Sequence, residues 1–470
     1  MKPALKVREL KIEKRLDNFK EVVLGYTEKE AQEEAKRCFQ CKNPRCVLGC
    51  PVNIDIKKFI FQITKKDYYG AYLTIKEKNN FASICGRVCP AEYQCKKMCV
   101  LNRNKGSFAD SFAINIHLLE RFVGDWGNKN VSLPEKNKRF KNKKVAVVGS
   151  GPAGLCVAYE LAKKQIEVVV FEALNELGGI LRYGIPSFRL PRKVLDFEMN
   201  YLRKLGVKFI TNFLVGQTTS LEDLFKEGIS AIFLGTGAGI PKLLGIKGEG
   251  APNVYTANEF LTRVNLLNAY QFPRFHTPLK LGKKIAIIGA GNTAIDCARV
   301  ALRLQRMNGL KIDTTIIYRR TEIQMPARRI EIEHAKEEGV NFKFLTQPEE
   351  FVLDKNGYVK KIKCLRTYLG EKDRGGRERP IILEGSDFFV KADLVIVAIG
   401  LKANQLLIKR SPQLKLNREG NLFVNGETLE TTLKGVFAGG DIVSGEATVI
   451  EAMGMGKKAA NSIIKYLSNA

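Results

Sequence analysis

Two repeats of a strand, glycine turn and helix, behind a dense run of cysteines, predict an α/β chain. It holds two Rossmann-like nucleotide-binding domains preceded by a small helical domain. The 470 residues suffice for two or three domains with full cores. Expected boundaries are 1–142 for the helical domain, 143–262 with 403–470 for a split first nucleotide domain, and 263–402 for a second inserted into it.

The first repeat runs from Lys144 to Glu172, KVAVVGSGPAGLCVAYELAKKQIEVVVFE. Val145 to Val148 reads as a buried strand; Leu155, Ala158 and Leu161 then recur at helical spacing, and a strand from Val168 to Phe171 ends on Glu172. Gly149 permits the tight turn, Gly151 lets backbone N–H groups approach a pyrophosphate, and Gly154 lets the helix pack against the strand; Ala153 lies in the same turn. Glu172 is placed to accept hydrogen bonds from a ribose. Further on, Gly178-Gly179 and Gly184-Ile185-Pro186 suggest backbone passing a flat ring, with Gly179 the candidate contact; a plain double turn is the alternative. The buried run Ala231 to Leu234 ends in a second glycine turn that contains Thr236.

A second repeat begins at Lys284, KIAIIGAGNTAIDCARVALRL. Its candidate phosphate-turn residues are Gly289, Gly291, Asn292 and Thr293, and Ala294 takes the place of the third glycine. The next strand, Thr314 to Tyr318, ends in Arg319-Arg320. An acid there would bond the 2′-hydroxyl of NAD, whereas two guanidiniums suit a 2′-phosphate, so NADP(H) is expected over NAD(H). A solvated arginine pair is the plain alternative. The chain closes with GVFAGGD, a strand and glycine turn carrying Gly440 and Asp441, and then a small-residue helix near Thr448. This reads as the first domain returning after an insertion. Two such sites, one split, describe a flavoprotein reductase with FAD in the outer domain and a nicotinamide nucleotide in the inner one.

Eight of the eleven cysteines fall between residues 38 and 99, as Cys38, Cys41, Cys46, Cys50 and Cys85, Cys89, Cys95, Cys99. Such density in a chain without a secretory pattern points to metal or cluster ligation, not disulfides. Four-cysteine zinc sites come as two CxxC pairs, and only one occurs here; uneven runs with Cys-Pro steps suit iron–sulfur clusters. Helices are expected from Thr27, with Glu30 completing a capping box, to about Phe39, and over 54–80 and 110–124. A basic linker, Lys136–Lys144, follows. Cys156 and Cys297 stand alone on the two Rossmann helices, which argues against a disulfide reductase and for packing.

The net charge of +28 is spread along the chain, without the one-sided concentration that nucleic-acid binding uses. It favours anionic cofactors and acidic partners. No apolar run reaches the ~18 residues that suggest a membrane helix, and the N-terminus lacks an apolar signal core, so a cytoplasmic location is expected.

The motifs CxxCxxxxCxxxCP, ICGRVCPxxxxC, VGSGPAG, GGILRYGIP, GAGNTAID, YRRTEIQMPA and GVFAGGD together resemble the small subunit of NADPH-dependent glutamate synthase and its relatives over nearly the whole chain. Those relatives include the large subunit of NADH-dependent ferredoxin:NADP+ oxidoreductase and the N-terminal part of dihydropyrimidine dehydrogenase. The resemblance implies FAD, NADP(H) and two [4Fe–4S] clusters. It would assign Cys38, Cys41, Cys46 and Cys99 to one cluster, and Cys50, Cys89 and Cys95 to the other with Glu120 as fourth ligand. Cys85 matches a family cysteine that is not a ligand. The spacer Asn102–Ser111 is longer than usual, which leaves His117, one turn before Glu120, as the competing ligand. No side chain is assigned as a catalytic acid, base or nucleophile. A second redox or synthase subunit is the expected partner, in a hetero-oligomer that makes glutamate. An electron-bifurcating ferredoxin:NADP+ oxidoreductase or sulfide dehydrogenase-type subunit is the second reading; a zinc-stapled or nucleic-acid-binding module is the third.

Overall fold

A computed structural model describes residues 2–102, 112–132, 143–373 and 375–469. Most of the Asn102–Ser111 spacer and of the Lys136–Lys144 linker lies outside the described residues.

Helices dominate the N-terminal part. The helix Glu28–Lys36 starts on the expected capping box: Thr27 Oγ1 accepts from the Glu30 N–H (3.3 Å) while the Thr27 N–H donates to Glu30 Oε2 (2.7 Å). It stops before Cys38, short of the expected Phe39. The stretch 54–80, expected as one helix, breaks into Ile56–Thr64 and Tyr68–Lys78. Lys66 takes a positive φ of 60°, and Asp67 caps the second helix by accepting from the Gly70 N–H at 2.8 Å. The helix expected over 110–124 spans Ile116–Asn130 instead. It continues through Gly124 and Gly127 because both are packing surfaces: a Cβ on Gly124 would lie 2.6 Å from the Ser83 nitrogen, and one on Gly127 would strike the Tyr72 ring. Residues 110 and 111 lie outside the described set.

Two five-stranded parallel sheets follow. The first has the order Val436–Ala438, Ala231–Leu234, Lys144–Val148, Glu167–Phe171, Lys208–Ile210. The second has the order Asn341–Lys343, Thr314–Ile317, Ile285–Ile288, Leu394–Val397, Val254–Thr256. Each glycine turn leaves the central strand of its sheet, where neighbouring connections diverge and open a crevice at the strand ends. The central strands are buried almost throughout, as parallel sheets covered on both faces require.

One boundary differs from expectation. Val254–Thr256 and the helix Ala257–Asn265 belong with the second sheet, although the sequence placed them before residue 263 in the first domain. The chain crosses over at the two-stranded antiparallel link Ala238–Pro241 with Leu401–Ala403. A three-residue strand without a glycine turn has no local signature, and only its pairing with Val395–Val397 assigns it. The second domain also carries an antiparallel sheet, Thr346–Leu353, Val359–Lys372, Glu378–Ile382 and Phe388–Lys391.

The helical domain shares a core with the first nucleotide domain. Phe81, Ile84, Cys85 and Val88 pack in one apolar cluster with Val157, Tyr159 and Met453. A buried ion pair, Lys76 Nζ to Glu198 Oε2 at 3.6 Å, crosses the same interface, and Lys457 Nζ donates across it to the Glu77 carbonyl at 2.7 Å. Among the described residues, no helix is long and apolar enough to cross a membrane.

Candidate nucleotide and cluster sites

Both glycine turns open into one elongated cavity of about 1410 Å³. Gly149 adopts φ 100°, and a Cβ there would lie 2.5 Å from the Gly235 oxygen; a Cβ on Gly154 would strike the Gly149 oxygen. Gly151, by contrast, faces open space at the first residue before the helix Pro152–Lys163, so the helix N-terminus is bare to the cavity. The second turn repeats this. Gly289 has φ 127° with its missing Cβ against the Ala398 oxygen, and Gly291 faces open space before the helix Asn292–Met307.

The half of the cavity at the first glycine turn collects Ala153, Glu172, Gly179, Thr236, Gly440, Asp441 and Thr448. Glu172 also holds its own turn together: its carboxylate accepts from the Ser150 N–H (2.9 Å), the Ser150 hydroxyl (2.5 Å) and the Leu174 N–H (2.9 Å). Gly179, φ 53°, brings its backbone so close to Gly151 that a Cβ would lie 2.9 Å from that Cα. Thr236 Oγ1 is buried without a partner among the described residues, an orphan that a polar ligand group would satisfy. Burial raises Asp441 to about 7. Thr448 caps the C-terminal helix, exchanging hydrogen bonds with Glu451.

In the other half, Thr293 lines the cavity and Asn292 turns its side-chain oxygen to the Arg328 N–H at 2.9 Å. The two strand-end arginines divide. Arg320 is 5% exposed and anchored, donating to the Glu378 carbonyl at 2.7 Å and to Asp373 at 3.1 Å. Arg319 is exposed, and among the described residues its guanidinium makes no ion pair. Burial, then the charge of Arg320, lowers its hold on its proton. Arg377, from the hairpin that leads into Glu378–Ile382, lines the cavity beside it. Sequence reasoning missed Arg377 because only the hairpin brings it there. It also missed a buried pair that lines the cavity, Arg189 Nη1 to Asp296 Oδ2 at 2.6 Å. Asp296 Oδ1 is buried without a hydrogen-bond partner among the described residues.

The thiols gather in two groups. Cys38, Cys41, Cys46 and Cys99 border one small cavity of about 30 Å³. Cys50, Cys89, Cys95, His117 and Glu120 border another of about 20 Å³. Burial raises Cys46 to about 12, Cys50 to about 11 and Glu120 to about 7, so a cationic centre is what would hold these donors ionised. Glu120 accepts from Asn79 Nδ2 at 2.5 Å, a partner that aims its carboxylate. Cys85 lies outside both cavities, fully buried in the shared apolar core, as do Cys156 and, in the second domain, Cys297. Val88 and Pro90, on either side of Cys89, line the nucleotide cavity.

Comparison with known proteins assigns the same two parts. Residues 15–132 match the family described as dihydropyrimidine dehydrogenase domain II, 4Fe-4S cluster, and residues 143–456 match pyridine nucleotide-disulphide oxidoreductase. Fold and sites together define an NADPH-dependent flavin and iron–sulfur oxidoreductase. The chain is 35% identical to a glutamate synthase [NADPH] small chain from Azospirillum brasilense, covering 96% of this chain and 92% of that one, and 34% identical to its Escherichia coli counterpart, covering 99% and 96%. It belongs to the glutamate synthase small-chain family. The fold of its last two domains is also that of Mycobacterium tuberculosis FprA in complex with NADPH, with TM-score 0.57 at 20% identity over 70% of this chain and 85% of that one.

Proposed function

We propose that this chain is the electron-donating subunit of a glutamate synthase-type assembly. It oxidises NADPH and passes electrons to a partner subunit that makes glutamate from glutamine and 2-oxoglutarate. FAD, when bound, would supply hydride chemistry toward the nicotinamide and one-electron chemistry toward the cysteine groups, where two [4Fe–4S] clusters would supply single-electron transfer. The observation that carries the reading is the position of Cys89: its own thiol faces one cysteine cavity while its neighbours Val88 and Pro90 face the nucleotide cavity.

Gly149, Gly151, Ala153 and Gly154 seat the FAD pyrophosphate, Glu172 its ribose, Gly179 and Thr236 the region beyond, and Gly440, Asp441 and Thr448 close the flavin side. Gly289, Gly291, Asn292 and Thr293 seat the NADPH pyrophosphate. Arg319 with Arg377 grips the 2′-phosphate, while Arg320 braces the strand end. The Arg189–Asp296 pair would offer a carboxylate oxygen, unpartnered among the described residues, to a polar group of the bound nucleotide. Cys38, Cys41, Cys46 and Cys99 hold the outer cluster; Cys50, Cys89, Cys95 and Glu120 hold the inner one, with His117 as the alternative fourth ligand.

A second reading, a ferredoxin- or metal-reducing subunit, is supported by relatives such as the NADPH-Fe(3+) oxidoreductase subunit beta of Geobacter sulfurreducens. That protein is 36% identical over 90% of this chain and 63% of its own. The purified chain should reduce artificial dyes with NADPH yet form no glutamate from 2-oxoglutarate with either glutamine or ammonium. Glutamate formation by the chain alone would overturn the electron-donor reading. Isolation of the native complex, scored for a large amidotransferase subunit or a small electron carrier, separates the two readings.

A further inference from the structure

One segment of the helical domain touches both nucleotide domains. It runs from Arg87 to Gln94 and contains Cys89. Gln94 Nε2 donates to Thr448 Oγ1 at 3.4 Å in the first nucleotide domain, and the Tyr93 hydroxyl donates to the Ala327 carbonyl at 3.0 Å in the second. A third tie is Arg328, which is 4% exposed. Its Nη1 donates to the Arg87 carbonyl at 2.8 Å, and its Nε lies 3.5 Å from Glu92 Oε1, an ion pair without a hydrogen bond. Its backbone N–H donates to Asn292 Oδ1 at 2.9 Å. The Arg87 carbonyl belongs to the last turn of the helix Ala82–Val88, where a helix leaves its own carbonyls unpaired. Arg87 is itself braced: Nε donates to Glu21 and Nη1 to Asp125, each at 2.7 Å. The guanidinium of Arg328 is thus held by a rigid support in another domain, while its backbone holds Asn292.

We propose that Arg328 is a positioning residue for the nicotinamide nucleotide: anchored on the cysteine-bearing domain, it fixes the side-chain amide of Asn292 at the second glycine turn. The proposal rests on the NADPH reading above and adds what holds that turn. Asn292 opens the helix Asn292–Met307 and lines the nucleotide cavity. With Oδ1 occupied by the Arg328 N–H, the two Nδ2 donors of the amide are the end that can meet a phosphate oxygen. An amide free to flip presents its oxygen as readily as its N–H groups, and an oxygen repels a phosphate; the Arg328 N–H removes that orientation. The pyrophosphate is common to NADPH and NADH, so Arg328 acts on both cofactors alike, unlike Arg319 with its 2′-phosphate. The same anchor keeps the turn in register with Cys89, two residues beyond Arg87.

The test uses the full cofactor-loaded chain. Steady-state dye reduction gives KM and kcat with NADPH and with NADH, calorimetry gives the NADP+ Kd, and flavin absorbance with iron content reports whether the domains stay assembled. The variants are Arg328→Gln, Arg328→Lys, Asn292→Ala and the double variant Arg328→Gln, Asn292→Ala. In Arg328→Gln, support is a rise of about 3- to 12-fold in both KM values and in the NADP+ Kd, the loss of one hydrogen bond. Its kcat should change by less than about twofold, with flavin and iron retained. Arg328→Lys keeps a cation for the Arg87 carbonyl and should show a smaller rise. The double variant should be worse than Asn292→Ala alone by no more than about twofold, because Arg328 acts through Asn292. Wild-type affinity in Arg328→Gln would overturn the proposal, as would additive losses in the double variant, a rise confined to NADPH, or a fall in kcat without a rise in KM. Flavin or iron lost from both Arg328 variants would overturn it too, since the arginine would then hold the domains together and not the turn. A wild-type chain that binds no NADP+ and is reduced by neither cofactor would overturn the NADPH reading itself.

Discussion

Replacing Arg319 with alanine should separate the two nicotinamide cofactors. The Arg319 guanidinium is exposed at the cavity rim, makes no ion pair among the described residues, and stands beside Arg377. A 2′-phosphate seated there would take a charge-assisted hydrogen bond from it, a contact worth about 1.5–3 kcal/mol. Its loss corresponds to a rise of about 10- to 150-fold in the NADPH KM, with the NADH KM changed by less than about twofold, since NADH has no phosphate to lose. Arg377→Ala should act in the same direction, and the double variant should be less than additive if both grip one phosphate. Arg320→Ala should behave differently. Its guanidinium is buried and bonded to Asp373 and the Glu378 carbonyl, so its removal should lower thermal stability and weaken both cofactors alike. Steady-state dye reduction at constant ionic strength, with each cofactor in turn, measures all of this. Equal KM rises for NADPH and NADH in Arg319→Ala, or selectivity lost in Arg320→Ala alone, would refute the division of labour between the two arginines.

Other outcomes follow from the same geometry. The anaerobically purified chain should contain about eight iron and eight sulfide, the content of two four-iron clusters; about two zinc and no sulfide would exclude them. In the flavin-free chain, burial holds the Asp441 carboxyl at about 7 against an ordinary 3.8. Its ionisation therefore costs stability that is intact below 3.8 and lost as the pH rises to about 7, so Asp441→Asn should flatten the fall in melting temperature across that window. The same variant should retain less FAD after purification, judged by absorbance. Lys76→Ala should leave the fully buried Glu198 carboxylate without its cation, at about 3–5 kcal/mol. Adding Glu198→Leu should recover much of that loss in thermal unfolding, because the buried charge is then gone.

What could be read in the sequence is what depends on neighbours in the chain. Gly149 and Gly289 need positive φ at a strand end, Thr27 and Glu30 close a capping box across three residues, and Val145 to Val148 is an apolar run of strand length. Each is a local demand on backbone or burial, so the residues themselves declared it, and the α/β class with two nucleotide turns followed. The division of seven of the eight thiols into two sets, with Cys85 in neither, was implied by resemblance; residue spacing alone left it open, because Cys99 closes a group that begins sixty-one residues earlier at Cys38. Only the folded chain decides which of two adjacent arginines is anchored and which stays exposed, although both line the cavity. Arg319 and Arg320 are equivalent in sequence, but a hairpin 53 residues after Arg320 supplies Asp373 to anchor it and brings Arg377 to the cavity with Arg319. The crossover at Ala238–Pro241, the joint core of the helical and flavin domains, and the exposed Phe39 and Leu48 belong to the same class. They are set by pairing and packing between distant segments, whose free energy has no signature in any short window of sequence.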